Sequence, residues 1–146
     1  MKKLIASALV LMVSAGTVAA QDNPIKSRQA LMDAAAGAAG IAVPMLKGEM
    51  EYNPAVAKAA IATFYGVATA GQAFFPEGSA GDSKAAPKIW EDPEGFKAAF
   101  AKFQSAAEAA FQASGKEGPA DLKAFQAAVG PVLQNCGSCH ETYRLE

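Results

Sequence analysis

The chain has 146 residues, of which 51% are hydrophobic, and it carries 13 basic against 14 acidic side chains. Because there is no basic excess to neutralise phosphates, the composition argues against nucleic acid as a partner. It also provides no basic amphipathic helix for a membrane surface. Alanine, the strongest helix former, dominates the sequence and predicts a helical protein.

Residues 1–20 have the pattern of a signal peptide. Two lysines precede an apolar run, Leu4 to Val13, and the small residues Val18-Ala19-Ala20 follow it. The run is too short to span a membrane. We therefore expect cleavage after Ala20 and export to a bacterial periplasm, with an uncleaved anchor as the alternative. The mature chain, residues 21–146, would be one domain without membrane insertion, and its 11 basic and 14 acidic side chains give a formal charge of −3.

Two helices are predicted in the first half of the mature chain, where apolar residues recur at helical spacing and no strand pattern is found. The first runs from Pro24 to about Lys47, and Pro44 should bend its last turn. The second runs from Pro54 to about Ala70. The residues expected to face inward from the second helix are Val56, Ile61, Phe64 and Val67.

Two further helices are predicted in the second half. One runs from about Asp92 to Ser114, and Gly115 is its expected stop. The last helix should start near Pro119 and Asp121 and be kinked by Pro131. The apolar residues that define the third helix are Phe96, Phe100, Phe103, Ala107, Ala110 and Phe111. The seam of the last helix, spaced alternately by three and four residues, comprises Leu122, Phe125, Val129, Val132, Cys136, Cys139 and Tyr143.

Four helices with short first and third connections predict an all-α fold, an antiparallel four-helix bundle. The second connection, from Gly71 to Asp92, is long for a bundle loop, and such loops are often functional or cover a ligand. Phe74, Phe75 and Trp90 are its expected anchors in the core.

The pentad Cys136-Gly137-Ser138-Cys139-His140 is the attachment signature of a c-type haem. In such a motif each thiol adds across one haem vinyl group, and the adjacent histidine becomes an axial ligand of the iron. Helical residues three apart share a face, so both sulfurs can meet one edge of the porphyrin. The chain has no other cysteine or histidine. The sequence therefore predicts one covalent haem c, attached through Cys136 and Cys139, with His140 as the proximal ligand.

Three other interpretations of the pentad are weaker. A redox dithiol usually lies at a strand–helix junction, and no strand is predicted. A closed zinc site would need a fourth ligand beyond the two cysteines and the histidine. A disulfide between residues so close in sequence would stabilise the fold little.

Five stretches that span essentially the whole mature chain are distinctive when taken together. They are Arg28-Gln29-Ala30-Leu31-Met32, Leu46-Lys47-Gly48-Glu49 with Tyr52, Phe75-Pro76, Pro87-Lys88-Ile89-Trp90, and Cys136 to Arg144. Through these residues the chain resembles the cytochrome c-prime family, bundle cytochromes whose haem is attached to a C-terminal helix.

The resemblance implies that Met32 occupies the distal position, four residues after Arg28 and on the same helix face. With a single histidine, bis-histidine ligation is excluded, and methionine ligation would raise the reduction potential. Met45 and Met50 are weaker candidates, because a helix-bending proline precedes one and a turn precedes the other. The alternative role of Met32 is packing above the haem without ligation.

The resemblance also implies polar contacts to the haem. Arg28 would pair with a haem propionate, with Gln29 as its neighbour, and Asp82 would make another contact at the haem edge. Arg144 follows His140 by four residues, so it is expected beside the proximal ligand, where it would screen that face. The alternative for Arg28 and Arg144 is a solvated surface charge.

Two functions remain open. The main interpretation is one-electron transfer between periplasmic redox partner proteins, with Met32 and His140 both bound to iron. The alternative is a high-spin, five-coordinate haem that binds nitric oxide or another diatomic gas. No enzymatic function is expected, because neither a general base nor a distal carboxylate is predicted near the haem. A homodimer through the N-terminal helices is a further expectation.

Overall fold

The computed structural model describes residues 23–146 and confirms the all-helical bundle. Its elements are α1 (Pro24–Lys47), α2 (Pro54–Ala70), a 3₁₀ helix (Gly71–Phe74), α3 (Lys88–Glu91), α4 (Pro93–Ala113) and α5 (Leu122–Tyr143). The four long helices pack as a bundle in which α1 contacts α2, α2 contacts α4, and α4 contacts α5. Within this range there is no strand, only an isolated backbone bridge between Ala85 and Arg144. The predicted signal peptide, residues 1–20, lies outside the described residues.

Local capping explains why the predicted helix boundaries were accurate. Asn23, Asn53, Asp92 and Asp121 cap α1, α2, α4 and α5, and their side chains accept first-turn N–H bonds of 2.7 to 3.1 Å. A proline follows the cap in three of the four cases, where its missing N–H costs nothing. α1 ends at Gly48, whose φ of 73° is a left-handed conformation suited to glycine.

The core combines small side chains on α1 with aromatic rings on α4. Ala38, Ala42 and Met45 are the buried apolar residues of α1, so α1 can lie close to α2. Rings fill the space on the other side of the bundle. The buried aromatic residues are Phe64 on α2, Phe96, Phe100 and Phe103 on α4, and Phe125 on α5.

The end of the bundle that holds both short connections is fastened by side chains. The hydroxyl of Tyr52, between α1 and α2, donates a hydrogen bond to the carbonyl of Pro119, between α4 and α5. The Lys58 ammonium donates to the hydroxyl of Ser114 at 3.1 Å and to the carbonyl of Gly115. These bonds join the two helical hairpins at this end, which we call the closed end.

One position on α2 was predicted wrongly. Val56 was expected to face inward, but it is 37% exposed. It lies in the first turn of α2, where its N–H bonds to the cap of Asn53. The buried face begins at the next residue, Ala57, and continues through Ala60 and Ile61.

The long connection is anchored somewhat differently from the prediction. Phe75 contacts the core edge-on, 4.9 Å from the ring centroid of Phe96. Trp90 packs against the core and its indole N–H donates to the Pro76 carbonyl at 3.0 Å. The most buried anchor is Ile89 in the short helix α3, which is 3% exposed. It was not predicted as an anchor. Phe74 contributes through its backbone carbonyl rather than its ring, as described below.

Both proline-containing helices are continuous. α1 runs through Pro44 and α5 through Pro131, so neither proline ends its helix. The Pro131 carbonyl accepts a hydrogen bond of 2.9 Å from the Asn135 side chain. The bends expected at these residues stay predictions.

Among the described helices, α1 alone is long and apolar enough to cross a membrane by length and composition. Core helices of soluble proteins meet the same criterion. The α1 residues that are most buried, Arg28 among them, face other parts of the bundle. The absence of membrane insertion in the mature chain stays a prediction.

We expect Phe125→Ala to lower the free energy of unfolding by about 3–5 kcal/mol, the usual loss when a buried aromatic ring is removed. Phe125 is 0% exposed, and its ring centroid lies 6.1 Å from that of Tyr52. Urea unfolding of the purified protein measures the loss. Lys123→Ala, on the exposed face of the same helix, should change the value by at most about 0.5 kcal/mol. Equal stabilities for the two variants would contradict the placement of Phe125.

Candidate haem site

The pentad lies on the last turns of α5, which stays helical through it. Cys136 and Cys139 are both partly buried, and neither sulfur is in a disulfide. The Cys136 thiol donates a weak hydrogen bond of 3.4 Å to the Val132 carbonyl. Burial raises the pKa of both thiols, so both are protonated at neutral pH.

A cavity of about 480 Å³ lies beside this end of α5, within the size range of pockets that hold small-molecule cofactors. Its walls come from α1, α4, α5 and the long connection. The lining residues are Arg28, Gln29, Met32, Asp33, Ala36, Phe75, Ser83, Lys84, Ala85, Ile89, Phe96, Phe100, Cys139, His140, Tyr143 and Arg144. Most of the predicted site residues therefore meet around one cavity.

His140 lines the cavity from α5 while remaining accessible to solvent. Partial burial lowers its pKa, and the nearby positive charge of Arg144 lowers it further. The imidazole is therefore neutral at pH 7 and has a lone pair available for a metal. Arg144 also lines the cavity but is exposed, so its role beside the proximal ligand and the alternative of a solvated surface charge both stay predictions.

Met32 lines the same cavity from α1 and is partly buried. The competing methionines lie elsewhere. Met45 is a core residue with 1% exposure, and Met50 is 41% exposed on the surface. Of the three methionines in the described part of the chain, Met32 alone borders the cavity.

Arg28 is not a solvated surface charge, so that alternative is wrong. The residue is 4% exposed and its guanidinium donates to five acceptors of the long connection. One terminal nitrogen bonds to the Phe74 carbonyl at 3.2 Å and the Ser79 hydroxyl at 3.0 Å. The other bonds to the carbonyls of Ser79 and Ala80 at 2.7 and 3.2 Å and to the Ser83 hydroxyl at 2.8 Å. Burial lowers the pKa of Arg28, but a guanidinium remains charged.

The remaining polar residues divide into two groups. Gln29 lines the cavity as predicted, whereas Asp82 is exposed and does not border it. The neighbours of Asp82, Ser83 and Lys84, line the cavity instead. A haem contact by Asp82 stays a prediction.

Asp33 is a cavity residue that the sequence analysis missed. It lines the cavity from α1, so the expectation of no carboxylate on the distal side is wrong. The signal was present in the sequence, because Asp33 follows Gln29 by four residues and such residues share a helix face.

The donor set and the walls fit a c-type haem. Cys139 and the neutral imidazole of His140 border the cavity, and Cys136 lies one helical turn earlier on α5 without bordering it. The aromatic side chains of the cavity wall are Phe75, Phe96, Phe100 and Tyr143. Polar and charged side chains from α1, α5 and the long connection also border it. Across residues 23–146 no cluster of three or more His, Cys, Asp or Glu side chains could hold a metal ion, which argues against the zinc alternative.

Comparison with known proteins gives the family. The family model described as Cytochrome C′ matches residues 23–144, nearly all of the part that the structure describes. The chain belongs to the cytochrome c-prime family. Membership makes it a c-type haem protein, a class in which the haem is attached covalently, and the pentad contains the two cysteines that such attachment uses.

Several relatives match over nearly their whole length. Cytochrome c-556 of Agrobacterium fabrum is 35% identical over 153 positions, which cover 100% of this chain and 97% of the relative. The structure of cytochrome c-prime from Rhodopseudomonas palustris superposes with a TM-score of 0.76 at 35% identity, covering 86% of this chain and 98% of that one. A nitric oxide complex of a cytochrome c-prime variant from Alcaligenes xylosoxidans superposes with a TM-score of 0.73 at 30% identity, covering 84% and 94%.

We expect the purified protein to carry one haem that survives acid–acetone extraction and appears in the intact mass. Cys136→Ala or Cys139→Ala should weaken attachment, because each thiol supplies one thioether. His140→Ala should retain the haem while changing the spectrum of its iron. Ser138→Ala, within the same pentad, is the matched control and should keep the mass and spectrum unchanged. A haem-free mass for the wild-type protein would contradict the assignment.

Proposed function

We propose that this protein binds nitric oxide or another diatomic gas at a high-spin haem iron held by His140. The observation that carries the proposal is the single imidazole at one side of an aromatic-walled cavity in a cytochrome c-prime chain. The nitric oxide complex of the Alcaligenes xylosoxidans relative supports it. When bound, the haem supplies the iron that a gas ligand can reach.

The side chains around the cavity have distinct tasks in this proposal. The neutral imidazole of His140 would hold the iron, and Cys136 and Cys139 would hold the haem to α5. Phe96, Phe100 and Ile89 keep water away from one side, because all three are almost fully buried apolar residues. Met32 would act as a packing residue and leave room for a gas.

One observation favours a second function, one-electron transfer between periplasmic redox partners. Met32 borders the same cavity as His140, and a thioether is a common axial ligand of c-type haem. If it ligates iron, the site favours the ferrous state and excludes a gas. Ligation by Met32 and the low-spin state that it implies stay predictions.

The oxidised protein should be high-spin, and the ferrous protein should bind carbon monoxide and nitric oxide without a methionine having to leave. Absorption spectroscopy tests both points. Met32→Ala should leave the spin state unchanged, since no iron ligand is removed. Met50→Ala, at an exposed methionine outside the cavity, is the control.

A different spectrum would favour the second function. A low-spin oxidised protein with the weak far-red band of methionine-to-iron charge transfer, converted by Met32→Ala to a high-spin form of lower potential, would replace gas binding by electron transfer.

The remaining proposals concern location and assembly. We infer that the protein acts in the periplasm as a carrier or binder rather than as an enzyme, although the carboxyl group of Asp33 borders the cavity. A homodimer through the N-terminal helices is a further proposal, and Ile41 on α1 and Val56 on α2 are the exposed large apolar residues of those helices, with 38% and 37% exposure.

Export predicts a specific mature product. After osmotic shock of cells that express the full chain, the haem-containing protein should appear in the periplasmic fraction. N-terminal sequencing should begin at about Gln21, because small residues precede that bond. Lys2→Glu with Lys3→Glu should reduce export, since the charged start of a signal peptide is lost. Retention of residues 1–20 on the periplasmic protein would favour the uncleaved anchor.

A further inference from the structure

We propose that Arg28 is a positioning residue that fastens the segment Ser79–Ser83 to α1 and thereby keeps one wall of the cavity closed to gas. The proposal rests on the gas-binding function above and names a determinant of its access. The wall concerned is formed by Ser83, Lys84 and Ala85, all of which line the cavity.

The bonding of Arg28 is directed almost entirely at this segment. Four of its five acceptors belong to Ser79, Ala80 and Ser83, and the fifth is the Phe74 carbonyl. The two terminal nitrogens carry four N–H donors for these five acceptors, so only the Nε–H remains for any other partner. A contact with a haem propionate would have to use Nε–H or displace the segment.

Because Arg28 is charged and buried, the loss of the groups that stabilise its guanidinium would be costly. The residue is 4% exposed. A buried cation is costly unless other groups stabilise it. Here the carbonyl oxygens do so, together with the rings of Phe75 and Trp90, whose centroids lie 5.1 and 5.9 Å from the guanidinium carbon.

The other end of the same wall is fastened to α5. The Ala86 N–H donates to the Tyr143 carbonyl at 3.0 Å, and the Leu145 N–H donates to the Lys84 carbonyl at 2.8 Å. The wall is therefore held from the α5 side by backbone bonds and from the α1 side by Arg28. Loss of Arg28 should release one side only, without detaching the wall from α5.

Carbon monoxide association with the ferrous haem protein tests the proposal. All variants are compared in the Met32→Ala background, where a departing methionine cannot limit the rate. Arg28→Gln should raise the association rate by about tenfold. This is the expected increase in the fraction of molecules whose wall is open when one charge-assisted hydrogen bond is lost. Arg28→Lys should also raise it, because an ammonium lacks the planar fork that meets these acceptors.

The double variant Ser79→Ala with Ser83→Ala distinguishes the effect of the bonds to the segment from the effect of the charge of Arg28. This variant keeps Arg28 but removes two of its acceptors, so the rate should rise in the same direction by roughly threefold or more. If Arg28→Gln does not fold, this double variant still tests the proposal. Lys26→Gln, an exposed lysine on α1, loses the same charge without these contacts and should keep the parent rate.

Each outcome has one meaning. If the serine variant keeps the parent rate, the segment does not control access and the proposal is overturned, even if Arg28→Gln changes the rate through the haem. A rise for Lys26→Gln as large as that for Arg28→Gln would also overturn it, since charge alone would be responsible. If the parent protein has haem but binds no carbon monoxide, the proposed gas-binding function fails instead.

Discussion

The structure depends on the unequal sizes of the side chains in its two helical hairpins. Small residues on α1 let it lie against α2, while rings on α4 occupy the opposite side. The N-terminal part of α1 and the C-terminal part of α5 both border the cavity, which opens at the end of the bundle away from the short connections. Because both walls belong to rigid helices, His140 and Met32 are placed by the bundle rather than by a flexible loop.

The features that could be predicted from the sequence are those encoded locally. Caps, prolines and Gly48 fix the helix ends within a few residues, and the pentad gives the haem attachment. The role of Arg28 was not predictable in the same way. Its acceptors lie 46 to 55 residues away and are backbone carbonyls and serine hydroxyls, which have no distinctive pattern. Val56 was wrongly predicted to face inward. It lies in the first turn, where its N–H bonds to the capping side chain of Asn53, and the buried face of α2 begins at Ala57.

The two candidate functions differ in a single bond, between iron and the sulfur of Met32, while sharing every other feature of the site. The apolar wall and the buried charge of Arg28 would affect both candidate functions. Reduction potentials and gas affinities depend on burial and on charge near the iron. Asp33, Gln29 and Lys84 are among the polar groups that border the cavity.

The closed end has a consequence for thermal motion. Tyr52 and Lys58 tie the two hairpins together at one end, whereas the opposite end contains a cavity and a long connection. Fluctuations that separate the hairpins should therefore be largest at the cavity end, where the hairpins are joined through the long connection rather than by bonds between their own helices. Helical amides of α2 near Lys58 would then exchange more slowly than helical amides of α5 around residue 140, so the molecule is softest at the cavity.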